Sequence, residues 1–186
     1  MARYRWLIVA VVVVLLAVVV WFFQRETRPP VAVDLVQQFP SAVKKSNIPV
    51  EQAFAVTTAT IRGETKPCIF EHPTSRLTFR LTPPAYAWLT TSLALRPEAW
   101  DKPGDGVVFL IGISDGRRYD LLLTEHIDPF GNPGDRRWIP VSIDLSAYAG
   151  REVDLMFNTY ASQPGRGVDT RNDWAIWGAP AIQIGR

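Results

Sequence analysis

An unbroken apolar run from Trp6 to Phe23 constrains this chain more than any other stretch. It holds only Val, Leu, Ile, Ala and aromatic residues and carries no charge. As a helix rising about 1.5 Å per residue it would reach roughly 27 Å, close to the hydrocarbon thickness of a bilayer. The run closes on Trp21-Phe22-Phe23-Gln24-Arg25, which offers no small-x-small cleavage site. The single cysteine, Cys68, lies too far downstream for a lipoprotein signal. An uncleaved anchor follows, with Tyr4, Trp6 and Trp21 placed at its interfaces as amphipathic rings prefer. Arg3 and Arg5 crowd a five-residue tail that is easily kept inside. The expected layout is a cytoplasmic tail over 1–5, a transmembrane helix over 6–23 and a juxtamembrane linker over 24–49. Residues 50–186 then form an extracytoplasmic domain, periplasmic at a bacterial inner membrane.

Composition narrows what that domain can bind. Without Arg3 and Arg5 the chain has 18 basic and 18 acidic residues, so the exported part is formally neutral. Nucleic acid needs a net basic face and is not an expected partner. One cysteine forbids an internal disulfide, so stability must come from a buried core. Cys68 itself, in Cys68-Ile69-Phe70, reads as a buried, inert strand residue.

Periodicity sets the fold class. Leu35, Val36, Phe39, Ala42 and Val43 trace one helical stripe over 34–45, with Asp34 as N-cap, which predicts a short amphipathic helix in the linker. From Phe54 the period becomes two. Leu77, Phe79 and Leu81 alternate with Thr78 and Arg80, and Ile139, Val141, Ile143 and Leu145 alternate with polar neighbours. Val107–Ile113 is apolar on both faces, as a central strand requires. Asp115-Gly116 sits between two such runs and predicts a two-residue hairpin turn. Eight or nine strands without an internal helix call for an all-β antiparallel β-sandwich, with jelly-roll topology the best fit.

Two polar loops hold the candidate binding groups. The first runs from His126 to Arg137 and includes Asp128, Asp135 and Arg136. The second runs from Gln163 to Asp173 and includes Asp169, Arg171, Asn172 and Asp173. Trp100, Trp138, Trp174 and Trp177, with Tyr160, form a candidate aromatic platform beside them. Sugar rings stack their C–H faces on such rings while carboxylates, amides and guanidinium groups bind their hydroxyls. The competing reading puts the tryptophans in the core and pairs the Asp and Arg residues locally. Asp101, Asp105, Asp169 and Asp173 supply loop oxygens for a structural calcium, but without EF-hand spacing, and no other cofactor is expected. His72 and His126 are the only histidines and have no ligand cluster around them. Glu98, Glu125 and Asp128 can be nominated as glycosidase acids only as any surface acids can, and no nucleophile elbow or phosphate loop is present. The domain therefore reads as non-enzymatic.

The stretch Trp138-Ile139-Pro140-Val141-Ser142-Ile143-Asp144-Leu145-Ser146-Ala147-Tyr148-Ala149-Gly150, followed by Val153-Asp154-Leu155-Met156-Phe157, resembles the late strands of galactose-binding-like jelly rolls. Asn172-Asp173-Trp174-Ala175-Ile176-Trp177-Gly178-Ala179-Pro180 resembles their Trp-bearing final strand. The span Glu51–Ile184 as a whole is similar to uncharacterised membrane-anchored bacterial proteins that carry such a module. The resemblance implies carbohydrate binding or a structural accessory role, with a structural calcium in some members. No sugar site matches residue by residue, so none is carried over. A single anchor bearing a compact neutral sandwich suits an accessory subunit held by other integral membrane proteins of an inner-membrane complex. A membrane-anchored carbohydrate-binding module is the alternative.

Overall fold

The computed structural model describes residues 31–161 and 169–185. The expected membrane span, with Trp6 and Trp21, lies outside the described residues. Among those described, no helix is long and apolar enough to cross a membrane.

Eleven strands build two facing antiparallel sheets. The first contains β3 (Phe54–Ile61), β4 (Glu64–Glu71), β11 (Ala175–Ile184), β6 (Ala87–Leu95) and β9 (Ile139–Asp144), in that spatial order. The second is ordered β2 (Val43–Ser46), β5 (Ser75–Leu81), β10 (Val153–Tyr160), β7 (Val107–Ser114) and β8 (Tyr119–Ile127). A further strand, β1 (Val31–Asp34), pairs with the last residues of β11, beyond the three-residue stretch that β4 covers. The period-two runs therefore become strands as expected, and each turns its apolar side inward.

Three sequence expectations are corrected. Residues 34–45 do not form a helix: β1 ends at Asp34, a 3-10 turn covers Phe39–Ser41, and β2 follows. The stripe arises because Leu35, Val36, Phe39 and Ala42 all pack onto the core while the chain crosses from one sheet to the other. The sandwich thus already includes Val31–Ser46 rather than starting at residue 50, and a four-residue helix, α1 (Val50–Ala53), sits between β2 and β3. The β7–β8 turn spans four residues instead of two. Ser114 pairs with Tyr119, and Asp115 Oδ1 accepts from the backbone N–H groups of Arg117 and Arg118.

The core is an aromatic chain between the sheets. Phe157 and Phe109 meet the Trp177 ring edge-to-face at 4.7 and 4.9 Å, and Phe79 continues the stack against Phe157 at 5.6 Å. A smaller cluster lies on the outer side of the first sheet, where the β3–β4 hairpin folds Ile61 and Cys68 against Ala94, Trp138 and Ile176. Position 178 must be glycine there. A Cβ would stand 2.7 Å from the Trp138 ring. Burial raises the Cys68 thiol to about 11, which leaves it unreactive.

Candidate functional site

The two ends of the sandwich differ in loop length. One end closes with short turns at Arg62-Gly63 and Asp115–Arg118. The other carries three long connections: 96–106 between β6 and β7, 128–138 between β8 and β9, and 161–174 between β10 and β11. Residues 162–168 of the last loop, Arg166 among them, lie outside the described residues. Both polar loops singled out in the sequence therefore share one end of the fold, and a third joins them.

Arg136 fastens two of these loops together. Its Nη2 donates to the Trp100 carbonyl at 2.9 Å, its Nε donates to the Pro129 carbonyl at 2.8 Å, and its Nη1 meets Asp101 at 3.0 Å. Asp135 accepts from the Asp128 backbone N–H at 2.9 Å and from Asn132 Nδ2 at 2.9 Å. The Trp100 indole donates to the Leu95 carbonyl at 2.9 Å. Trp100, Asp135 and Arg136 therefore build the loops. Asn172 ties the third loop in by donating from Nδ2 to the Pro103 carbonyl at 2.9 Å.

A cleft opens where the three loops meet, lined by Lys102, Asp128, Phe130, Arg171, Asn172 and Asp173. Its enclosed part measures only about 10 Å³, room for one water-sized group. Phe130 stands exposed at the rim, and Lys102 Nζ lies 4.3 Å over the Trp174 ring. Arg171 grips Asp169 in contacts of 2.6 to 3.2 Å, which holds that carboxylate down to about 2. Asp128 Oδ1 accepts from the Gly131 N–H at 2.9 Å.

Asp173 stands apart chemically. It is 1 % exposed, and among the described residues its Oδ2 finds no hydrogen-bond partner, nor does Oδ1 of Asp105. Burial, followed by the nearby charges of Asp105, Asp169 and Asp128, pushes Asp173 up to about 8. At neutral pH it is a protonated acid, able to donate as well as accept. No motif announces this state, because it arises from acids on three different loops.

Three proposed platform residues are corrected. Trp177 is fully buried and donates from Nε1 to Glu71 Oε2 at 2.7 Å, and Trp138 is 8 % exposed and donates to the Glu64 carbonyl at 3.1 Å. Neither ring can stack on a ligand, because both are packed against protein. Tyr160 is exposed but stands at the end of β10 on the outer side of the second sheet, away from the loop cleft. Phe130 and Lys102 line the cleft and were missed, since a lone Phe and Lys in polar loops carry no pattern. The calcium shell does not fit. Asp101 is held by Arg136 and Asp169 by Arg171, and among the described residues no three His, Cys, Asp or Glu side chains are placed to hold an ion. Glu71 is a second raised acid, at about 8, and it is buried in the core.

No family model matches the chain. An uncharacterised protein of the archaeon Archaeoglobus fulgidus is 40 % identical over 130 residues, which cover 66 % of this chain and 32 % of that protein. The chain thus spans about a third of that relative's length. Among solved structures, the CBM51-2 module with INT domains of Clostridium perfringens ZmpB, in complex with GlcNAc, superposes with a TM-score of 0.54 at 14 % identity, over 82 % of this chain and 31 % of that one. The CBM51 module of the Clostridium perfringens GH95 protein, in complex with methyl-galactose, gives 0.52 at 15 % identity, over 81 % of this chain and 99 % of that one. The chain shares the all-β, two-sheet antiparallel sandwich fold of these two modules, consistent with a jelly roll.

Proposed function

We propose that this chain is a glycan-binding module without chemistry of its own, and that the three-loop cleft takes the end of a neutral saccharide. The observation that carries the reading is the unpartnered carboxyl of Asp173 at the base of a cleft rimmed by Phe130 and Arg171. A buried polar atom without a partner is costly, and a sugar hydroxyl inserted into the one-group throat supplies the missing hydrogen bond. Phe130 offers the C–H face a surface to stack on, and Arg171 and Asn172 stand within the same rim. The two solved neighbours, seen with GlcNAc and methyl-galactose, make galactosides and N-acetylglucosaminides the first ligands to try. Titration calorimetry with methyl-galactose and GlcNAc tests the reading. Binding should be abolished in Phe130→Ala and weakened about tenfold in Arg171→Ala. A glycan screen in which no neutral sugar binds sinks it.

We further propose that the run 6–23 tethers the module, with its sandwich outside the cytoplasmic membrane. The first strand starts at the end of the fold opposite the cleft, since Val31 pairs with Gln183 near the close of β11. A tether there would turn the cleft away from the bilayer. A second reading, docking on an integral membrane protein, is favoured by Val31, Tyr86 and Trp88, which are all exposed at that same end. Gentle detergent extraction and pull-down through a C-terminal tag separates the two. Stoichiometric recovery of other membrane proteins favours the subunit, and recovery of the protein alone favours the tethered glycan binder.

A further inference from the structure

The outer side of the second sheet carries a trough that the loop cleft does not account for. Two depressions of about 450 and 220 Å³ share Lys45 and Arg76 and run along β5. Seven strand residues at about 3.4 Å each give a channel roughly 20 Å long. Its floor is the outward set Arg76, Thr78 and Arg80, while Leu77 and Phe79 point into the core. One wall is Val43 and Lys45 of β2, and the other is Met156, Asn158 and Tyr160 of β10.

The charges in this trough are arranged against stability. Lys45 pairs in register with Arg76, so two cations stand directly opposite each other on neighbouring strands. Like charges so placed repel. On the other flank Arg76 faces Asn158, which is neutral. Among the described residues neither Lys45 nor Arg76 joins an ion pair, whereas Arg80 is matched by Asp154 at 3.0 Å. Asn158 is 2 % exposed, and its Oδ1 accepts from Arg76 Nε at 2.6 Å. A buried amide thus orients a surface guanidinium and leaves its two NH₂ groups for something outside the chain. Those groups form a fork that suits a carboxylate or sulfate.

The geometry points to a second saccharide site here, one for an extended glycan chain bearing carboxylate or sulfate groups, with Arg76 and Lys45 as its anion-binding pair. Thr78 serves the hydroxyls between charged units, and Tyr160, 39 % exposed, closes the end nearest the long loops. The inference shares with the proposed function only its ligand class, since no residue of the loop cleft takes part.

Affinity electrophoresis and calorimetry of the full chain against polygalacturonate, with neutral galactan alongside, test it. Polygalacturonate should bind at low salt and weaken steeply as salt rises, as charge-driven contacts do. Lys45→Ala/Arg76→Ala should bind at least tenfold more weakly while still folded at the assay temperature, and Arg76→Lys should recover only part of the loss. Removal of two cations elsewhere, in Arg62→Ala/Arg117→Ala, should leave binding intact. Phe130→Ala should remove neutral-sugar binding and spare polygalacturonate, so either site can fail alone. No polygalacturonate binding, or equal loss in the Arg62/Arg117 control, overturns the inference.

Discussion

Two buried acids with raised pKa shape the pH dependence of stability, and Glu71, at 0 % exposure in the core, isolates one share of it. Its Oε2 accepts from Trp177 Nε1 at 2.7 Å and its Oε1 from Ser75 Oγ at 3.2 Å. Burial outweighs both bonds and raises the group from 4.5 to about 8. The unfolded chain releases this proton near pH 4.5, while the folded chain keeps it until about pH 8. Between those values the native state binds more protons, so stability is fully present below pH 4.5 and falls as pH rises through 8. At about 1.4 kcal/mol per pH unit the loss is on the order of 5 kcal/mol, a large share of a normal folding margin. Protein of this size loses about 2–4 °C per kcal/mol, so the melting point should drop roughly 10–20 °C. The carboxylates held low, Asp115, Asp144 and Asp169, titrate below this window and do not mask it. Glu71→Gln mimics the protonated acid: its carbonyl accepts from Trp177, and its amide donates to Ser75 Oγ, which can turn its own proton to Thr159 Oγ1. Urea unfolding followed by tryptophan fluorescence from pH 5 to 9 is the assay. The variant should match the parent at pH 5 and exceed it at pH 9. A parent curve that is flat or rises over this range, or a variant hurt more at pH 9 than at pH 5, refutes the reasoning.

Asp173 adds to the same slope with the same sign, so Asp173→Asn should flatten what Glu71→Gln leaves; an unchanged residual slope in the double variant would show Asp173 to be ionised in the fold. Gly178→Ala sets a methyl 2.7 Å from the Trp138 ring and should cost about 1–3 kcal/mol in urea unfolding. Arg136→Ala removes charged hydrogen bonds to two carbonyls, and hydrogen exchange should quicken in 96–106 and 128–138 while the strands stay protected. Cys68 should resist an aromatic disulfide reagent in the native state and react at once in urea, as full burial dictates.

The sandwich was legible because alternation along a strand is local. Leu77, Phe79 and Leu81 declare their face without knowing their neighbours, and so do Ile139, Val141 and Ile143. Helical spacing misleads over 34–45 because Leu35, Val36, Phe39 and Ala42 also suit a chain that crosses between sheets and packs as it goes, while Val43 turns outward. The β7–β8 turn misled for a related reason. Asp115-Gly116 marks a turn, but Asp115 caps two later amides, and that widens it to four residues. Trp177 and Trp138 looked the same in sequence as Trp174. Only the sheets decide that the first lies between them, the second beneath a hairpin, and the third under Lys102 at the loop end.

Charge placement separates the two surfaces more sharply than residue type does. Among the described residues of the loop end, Arg136 is occupied by Asp101 and two carbonyls, Arg171 by Asp169, and Lys102 by the Trp174 ring. Its unsatisfied groups among the described residues are instead Oδ2 of Asp173 and Oδ1 of Asp105. Such a site gains most from a neutral hydroxyl, and a carboxylate ligand would meet the existing acids. Along β5 the balance reverses. Its cations Lys45 and Arg76 stand unneutralised, and its buried amide is already used by Arg76. A formally neutral domain can therefore hold one surface suited to uncharged sugar and another suited to acidic sugar. Net charge conceals the difference, and pairing reveals it.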